Sequence, residues 1–377
     1  MKILQVHNYY QSSGGEDTVV ASEKALLEEN GNEVITYSRH NNEIEDYSLL
    51  QKLNLIQNAT WSKRSYQDAK KIIQEQKPDI CHIHNFFPLI STSIYQACKE
   101  LSVPVVQTLH NYRLICTNAL FLKEGKVCEL CLNKSAYTSI KHKCYRGSYL
   151  QTFTVARMIE QNKKAKTWET KVDAFLCFTE FAKSKFIQQG IPSEKIHIKS
   201  NFVEHPSSEL PKPSRDYFVY VGRLEENKGI LLLKKVANKL KLPIKLIGEG
   251  DLDKEFKNEP NIQLLGKKSH NETLEYIRNA KALLFPSLCY EGMPMTILEA
   301  FARKTPVIAS NMGAMQAMIE HNQNGLLFEP NSAEDLLKCI DEIKPLLSQN
   351  AFDTYLSKYS KEANYNTLIN TYKTAIK

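Results

Sequence analysis

Ala282-Leu-Leu-Phe-Pro-Ser-Leu-Cys-Tyr-Glu291-Gly-Met-Pro-Met-Thr-Ile-Leu-Glu299 reads as a short buried strand, a polar loop and the start of a helix. The short apolar run Ala282 to Phe285 is a candidate for a strand covered on both faces. Pro294 has no amide to donate and suits a helix beginning, so Glu291 is expected in the loop and Glu299 inside the helix, about one turn later. A carboxylate near a helix start is often only a complement to the helix dipole. The spacing of two, from different backbone heights, also suits two contact points on one ligand.

The same strand-loop-helix unit recurs on both sides of this stretch. Ile3 to Val6, Val34 to Tyr37, Pro78 to His84, Pro104 to His110 and Ala174 to Cys177 read as strands, with a helical stretch at Thr18 to Glu29 after the first. Tyr217 to Val221, Ile244 to Ile247, Ile262 to Leu265 and Pro306 to Ala309 continue the alternation beyond residue 214. Alternation of this kind predicts an α/β fold with parallel sheets covered by helices. It lapses at Pro206-Ser-Ser-Glu-Leu-Pro-Lys-Pro-Ser214, which reads as a linker. Two doubly wound domains facing a cleft are therefore expected, 1–205 and 206–352. Residues 353–377 read as a helix with tyrosines at 355, 359, 365 and 372, expected to pack back on the first domain.

A chain of 377 residues accommodates two such domains. Charged residues make up 24% and hydrophobic ones 42%, and no apolar run reaches the eighteen residues of a membrane span. The amino-terminal segment enters a strand directly, so no secretory signal is expected and the cytoplasm is the expected location. The net charge of +7 gathers at Lys141, His142, Lys143, Arg146, Lys163, Lys164 and Lys166. Such a face is a solvated surface or an attractor of phosphates and anionic lipid; no nucleic-acid module accompanies it. Nine cysteines are expected as thiols, and Cys81, Cys98, Cys177, Cys289 and Cys339 read as small core residues.

Two loops could hold phosphate. Val221-Gly222-Arg223-Leu-Glu-Glu-Asn-Lys228-Gly229 sets an arginine and a lysine in one strand-to-helix connection. Ser12-Ser-Gly14-Gly15-Glu16-Asp17 offers paired glycines before the first helix. The G-x-G-x-x-G spacing of dinucleotide enzymes is missing, which disfavours a dehydrogenase.

In this order, Gly14-Gly15, His110 at a strand end, Gly222-Arg223 with Lys228-Gly229, Gly248-Glu249-Gly250 and the Glu291/Glu299 pair resemble the retaining glycosyltransferases of family 4. The resemblance spans nearly the whole chain and implies the GT-B fold, two Rossmann-like domains. It implies that Arg223 and Lys228 grip the diphosphate of a nucleotide-sugar donor, with Gly14, Gly15 and Gly222 close by. Glu299 would take the ribose, Gly266 and Lys267 would flank the base, and Glu291 would face the donor sugar. His110 would lie beside sugar and acceptor. With the leaving diphosphate held by fixed cations, no catalytic metal is expected. The acceptor would be a glycan or a polyprenyl-linked glycan at an anionic membrane surface, in polysaccharide synthesis. An epimerase or hydrolase of the same fold, or an inert binding protein, is the alternative. One departure stands at Gly313-Ala-Met-Gln316-Ala317, where the family usually carries an acid after this step.

Between 114 and 147 the alternation lapses, and Cys116, Cys128, Cys131 and Cys144 follow a C-x11-C-x2-C-x12-C spacing. A structural zinc, with His142 able to replace one thiol, and four unligated thiols are the two readings. The insertion follows His110-Asn-Tyr-Arg113 and is expected on the acceptor side. His82 and His84 alternate on one strand face, which suits a structural or substrate-contact role better than a metal.

Overall fold

The computed structural model describes residues 1–11, 14–205 and 213–377, so most of the expected linker lies outside the described residues. Two compact units emerge. One comprises Met1–Phe121, Glu129–Ser200 and Asn364–Lys377; the other comprises Leu122–Cys128 and Asn201–Ala363. The boundary thus falls at Ser200 rather than after residue 205, and the insertion at 114–147 is divided between the units.

The first unit holds strands β1 (Lys2–Tyr9), β2 (Glu33–His40), β3 (Ile80–Asn85) and β4 (Val105–Thr108). In the insertion β5 (Leu122–Lys123) and β6 (Lys126–Val127) form a separate antiparallel hairpin. Strands β7 (Ala174–Cys177) and β8 (Ile196–Ile198) complete the first sheet. Its order is β2-β1-β3-β4-β7-β8, and all its pairs are parallel. The register of β1 on β3 shifts between Val6 and His7, near the end of β1 that carries the polar residues His7 and Asn8. Apolar side chains from both faces close the core: Ile3, Ile80, Val106 and Leu176 pack with Leu27 and with Leu368, Ile369 and Tyr372. The expected helix at 353–377 is two helices, Leu346–Lys358 and Lys361–Ile376, separated at Tyr359-Ser360. Only the second contributes to this core.

The second unit repeats the plan with β9 (Phe218–Val221), β10 (Ile244–Ile247), β11 (Ile262–Gly266), β12 (Ala282–Phe285), β13 (Val307–Ser310) and β14 (Gly325–Phe328). The order β11-β10-β9-β12-β13-β14 is again all parallel. Strand order reverses between β9 and β12, where the loops leave in opposite directions and open a crevice at the carboxyl edge. β8 and β14 escape the sequence reading because each spans only three or four residues, and edge strands that short carry little periodicity. Among the described residues, no helix is long and apolar enough to cross a membrane.

Candidate active site

In the second unit the expected donor residues gather along the carboxyl edge. The loop after β9 delivers Arg223 and Lys228, and the loop after β12 delivers Glu291. Lys228 Nζ lies 2.7 Å from Glu291 Oε1, which also accepts from Ser287 Oγ at 2.7 Å and faces Cys289 Sγ at 3.6 Å. Burial opposes both charges, but the lysine holds the Glu291 carboxyl below the usual carboxylate range, and Glu291 in turn raises Lys228. Both groups are therefore ionised at neutral pH. Cys289 is buried as expected, yet its thiol belongs to this cluster rather than only to the core.

Glycines set the closeness of the two loops. Gly229 has φ +67°, and a Cβ there would stand 1.8 Å from the Pro286 carbonyl oxygen. Gly248, at φ +137°, brings the chain after β10 so near the Gly222 carbonyl that a Cβ would lie 1.9 Å away. Tyr220 Oη donates to the Arg223 carbonyl at 2.7 Å and pins the turn between them. Arg223 itself is exposed, and its guanidinium pairs with Glu225 at 2.6 Å. It is an exposed cation in the same loop as the partly buried Lys228.

Glu299 lies on the Met295–Ala302 helix, whose N-cap is Pro294, so the carboxylate pair has the expected placement, one in the loop and one in the helix. Glu299 is buried, its Oε1 is 3.8 Å from His270 Nδ1, and burial raises its carboxyl above the usual range. Gly266 closes β11 and Lys267 follows it, exposed. At the departure noted in the sequence, Gly313 caps the short Ala314–Met318 helix, and the Gln316 side-chain amide donates to Asn311. Asp251-Leu252-Asp253 spells an Asp-x-Asp string, but Asp253 Oδ1 accepts the Gly250 amide at 2.8 Å and serves the turn.

In the first unit His110 follows β4, as expected, and Gly14 precedes the Gly15–Glu29 helix. Gly14 has an ordinary extended φ of −144°, and its amide donates to Asp17 Oδ2 at 3.1 Å. The paired glycines therefore do not turn that donor outward, because the third residue of the helix takes it in a capping arrangement. His110 Nε2 is 2.9 Å from His84 Nδ1, and His84 Nε2 is 3.3 Å from Glu23 Oε1. His82 Nδ1 lies 3.1 Å from the same oxygen, while Lys199 Nζ binds Glu23 Oε2 at 2.7 Å. Burial keeps His84 neutral, pushing it down to about 3, and holds His110 well below the usual histidine range. Although burial favours the neutral acid, Lys199 and the two histidines keep the Glu23 carboxyl well below its usual range.

Sequence reading placed His82 and His84 on one face but missed Glu23, Lys199 and Tyr372, whose Oη is 2.6 Å from His82 Nδ1. A signal for Glu23 existed: it shares a helix stripe with Val19, Val20, Leu26 and Leu27, where an acid needs a buried partner. Among the described residues, Glu23, His82 and His84 are the group of three or more side chains whose ligand atoms converge as a metal would need. The Lys199 ammonium already supplies their cation. In the insertion, Cys116 Sγ donates to Asn118 Oδ1 at 3.0 Å, and burial raises its thiol.

Comparison with known proteins now separates the family from its look-alikes. The chain matches the model of Glycosyltransferase Family 4 over residues 13–205 and that of Glycosyl transferases group 1 over residues 202–363. It is 26% identical to an uncharacterized glycosyltransferase of Methanocaldococcus jannaschii over 96% of this chain and 95% of that one. It is 28% identical to the lipopolysaccharide 1,6-galactosyltransferase of Salmonella typhimurium over 52% of this chain and 59% of the other. The crystal structure of Anabaena HepE in complex with UDP superposes with a TM-score of 0.66 at 16% identity, covering 99% of this chain and all of that one. Sharing two six-stranded parallel sheets and a family match that takes in more than half of its length, the chain belongs to glycosyltransferase family 4 and is a glycosyltransferase of GT-B fold.

Proposed function

We propose that the protein moves a sugar from a nucleoside-diphosphate sugar to a glycan acceptor in surface polysaccharide synthesis, with retention at the anomeric carbon and without a catalytic metal. The observation that carries this reading is the ionised Lys228–Glu291 pair, with Arg223 in the same loop, at the switch point of the second sheet. When the bond from the anomeric carbon to the diphosphate breaks, negative charge grows on the leaving group and positive charge on the sugar. Lys228 and the exposed Arg223 stabilise the first, and the Glu291 carboxylate stabilises the second. The acceptor hydroxyl attacks the anomeric carbon from the face the diphosphate leaves, and its proton passes to a departing phosphate oxygen. Glu299, buried and with its carboxyl raised above the usual range by that burial, suits a pair of neighbouring ribose hydroxyls. Gly14 and Gly15 remain candidates for a phosphate contact through the Gly15 amide.

UDP is the nucleotide to test first, since it is bound in the Anabaena neighbour. Calorimetry with UDP, ADP and GDP should give selective binding to one, and the proton NMR coupling of the product's anomeric proton reads retention directly. Binding to none of the three would overturn the donor assignment.

A lipid-linked acceptor is favoured by a separate observation. The Leu49–Asn58 helix buries none of its residues, and Leu49, Leu50 and Leu53 are 82%, 74% and 56% exposed. Exposed Tyr149, Leu150 and Phe153 lie on the Tyr149–Lys164 helix. A cavity of about 270 Å³, lined in part by Lys52, Leu55, Ile56, Phe87, Arg146 and Leu150, adjoins them. Apolar residues interleaved with lysines and arginines suit the surface of an anionic membrane on the cytoplasmic side. Sedimentation with anionic and neutral vesicles decides this part.

A further inference from the structure

The cavity of about 270 Å³ in the first unit is open to solvent and has its own chemistry. The Leu49–Asn58 and Tyr149–Lys164 helices meet beside it, and Phe87 and Pro88 line it from the loop after β3. The Leu49–Asn58 helix buries no residue, yet its apolar side chains divide. Leu49, Leu50 and Leu53 are exposed, whereas Leu55 and Ile56 are half-buried and line the cavity. Phe87 and Tyr145 stand edge to face at 6.1 Å, and the Arg113 guanidinium lies 5.5 and 4.7 Å from their ring centres. That wall is packed before any ligand arrives, as in a preformed small-molecule site.

Two cations stand among the lining residues without an acid. Among the described residues, Lys52 Nζ has the Glu45 carbonyl oxygen at 3.5 Å and Arg146 Nη2 has Gln11 Oε1 at 3.4 Å, both neutral oxygens at long range. The Glu45 carboxylate accepts instead from Gln11 Nε2 at 3.1 Å. We propose that this cavity binds a hydrocarbon chain that ends in a phosphate, the chain between the two helices and the phosphate on Lys52 and Arg146. The role of such a ligand rests on the lipid-linked acceptor reading above: it is the acceptor's lipid, its first carbons taken into the protein instead of staying in the bilayer.

The lining selects this class of ligand. A sugar placed against Ile44, Leu55, Ile56, Phe87 and Leu150 would bury hydroxyls without partners. An uncharged chain would leave both cations without a counter-charge, and a free phosphate would leave the apolar walls wet. An apolar cavity of roughly 150 Å³ takes one benzene, so this one holds roughly ten carbons of chain. Each methylene buried there tightens binding about threefold to fourfold until the cavity is full. An isoprenoid and a straight acyl chain both present this chemistry, and ligands of equal carbon number separate them.

The test is calorimetry on the full chain, without vesicles and below micelle-forming concentrations. Straight-chain alkyl phosphates of six, eight, ten and fourteen carbons, geranyl phosphate, decanol and inorganic phosphate are added separately. Affinity is expected to rise through ten carbons and to level off by fourteen, with decanol and inorganic phosphate at least tenfold weaker than decyl phosphate. Geranyl phosphate binding more tightly than decyl phosphate assigns an isoprenoid; the reverse order assigns a straight chain. Leu55→Trp, which fills the cavity, should weaken decyl phosphate at least tenfold. Lys52→Gln with Arg146→Gln, both exposed and safe for folding, should bring decyl phosphate down to the level of decanol. Leu49, Leu50 and Leu53 changed to Ser should leave decyl phosphate binding within twofold even where vesicle sedimentation is lost, so the cavity and the membrane surface fail separately. No binding of either phosphate, affinity still climbing at fourteen carbons, or a loss in the serine variant as large as in Leu55→Trp overturns the proposal.

Discussion

Lys228 Nζ and Glu291 Oε1 stand 2.7 Å apart although 63 residues separate them in the chain. They come from the loops after β9 and β12, which are neighbours in the sheet at the point where strand order reverses. Each group is the partner that lets the other stay ionised while buried. In the proposed reaction, a leaving diphosphate that engaged Lys228 would loosen Glu291 at the same moment and so couple the grip on the phosphate to the carboxylate offered to the sugar.

Replacing Lys228 by Met should reduce sugar transfer by at least about a hundredfold, the scale of losing one preorganised charge contact. It should also lower stability by roughly 3–5 kcal/mol, because Glu291 is left buried without its cation. Glu291→Gln should lose a comparable share of activity yet keep the Ser287 hydrogen bond and fall less in stability. Urea unfolding of both variants checks the order; equal stability losses would show that the pair is not the source.

Gly229→Ala should destabilise the protein by about 2 kcal/mol or more, since a Cβ at φ +67° meets the Pro286 carbonyl at 1.8 Å and the backbone must shift. Gly14→Ala should change stability by less than about 0.5 kcal/mol, because its φ is ordinary and its surroundings are open. Thermal unfolding of the two, side by side, makes the comparison.

Acid should unfold the protein before its carboxylates alone would. His84 is pushed down to about 3 in the folded state, below the ordinary histidine value near 6.5, so the unfolded chain takes up the proton first. Its contribution is fully present above about pH 6.5 and is lost progressively as pH falls toward 3. Glu23, held well below its usual range, acts in the same direction at the acidic end. His84→Gln should flatten stability against pH in that window, as followed by circular dichroism in urea.

Leu49, Leu50 and Leu53 changed together to Ser should leave stability nearly unchanged, since none is buried. The same variant should sediment several-fold less with anionic vesicles. Binding of the unmodified protein should weaken with salt, as expected where basic residues supply part of the attraction. Sedimentation that is equal with neutral vesicles would remove the membrane from the functional reading.

The α/β class, the two parallel sheets and most of their strands are legible in the chain, because each strand is a local run of apolar residues with a turn signal after it. The sequence by itself also placed Gly222, Arg223, Lys228, Gly229 and Glu291 in loops and Glu299 in a helix, since the composition of those short segments marks them out. What only the tertiary structure decided are the partnerships. Lys228 with Glu291, and Glu23 with His82, His84 and Lys199, join elements distant in the chain, and no periodicity records which strands become neighbours. The Gly14 amide, expected to face an anion, donates instead to Asp17 three residues on. Spacing along a chain limits where side chains can be, and packing decides which of them meet.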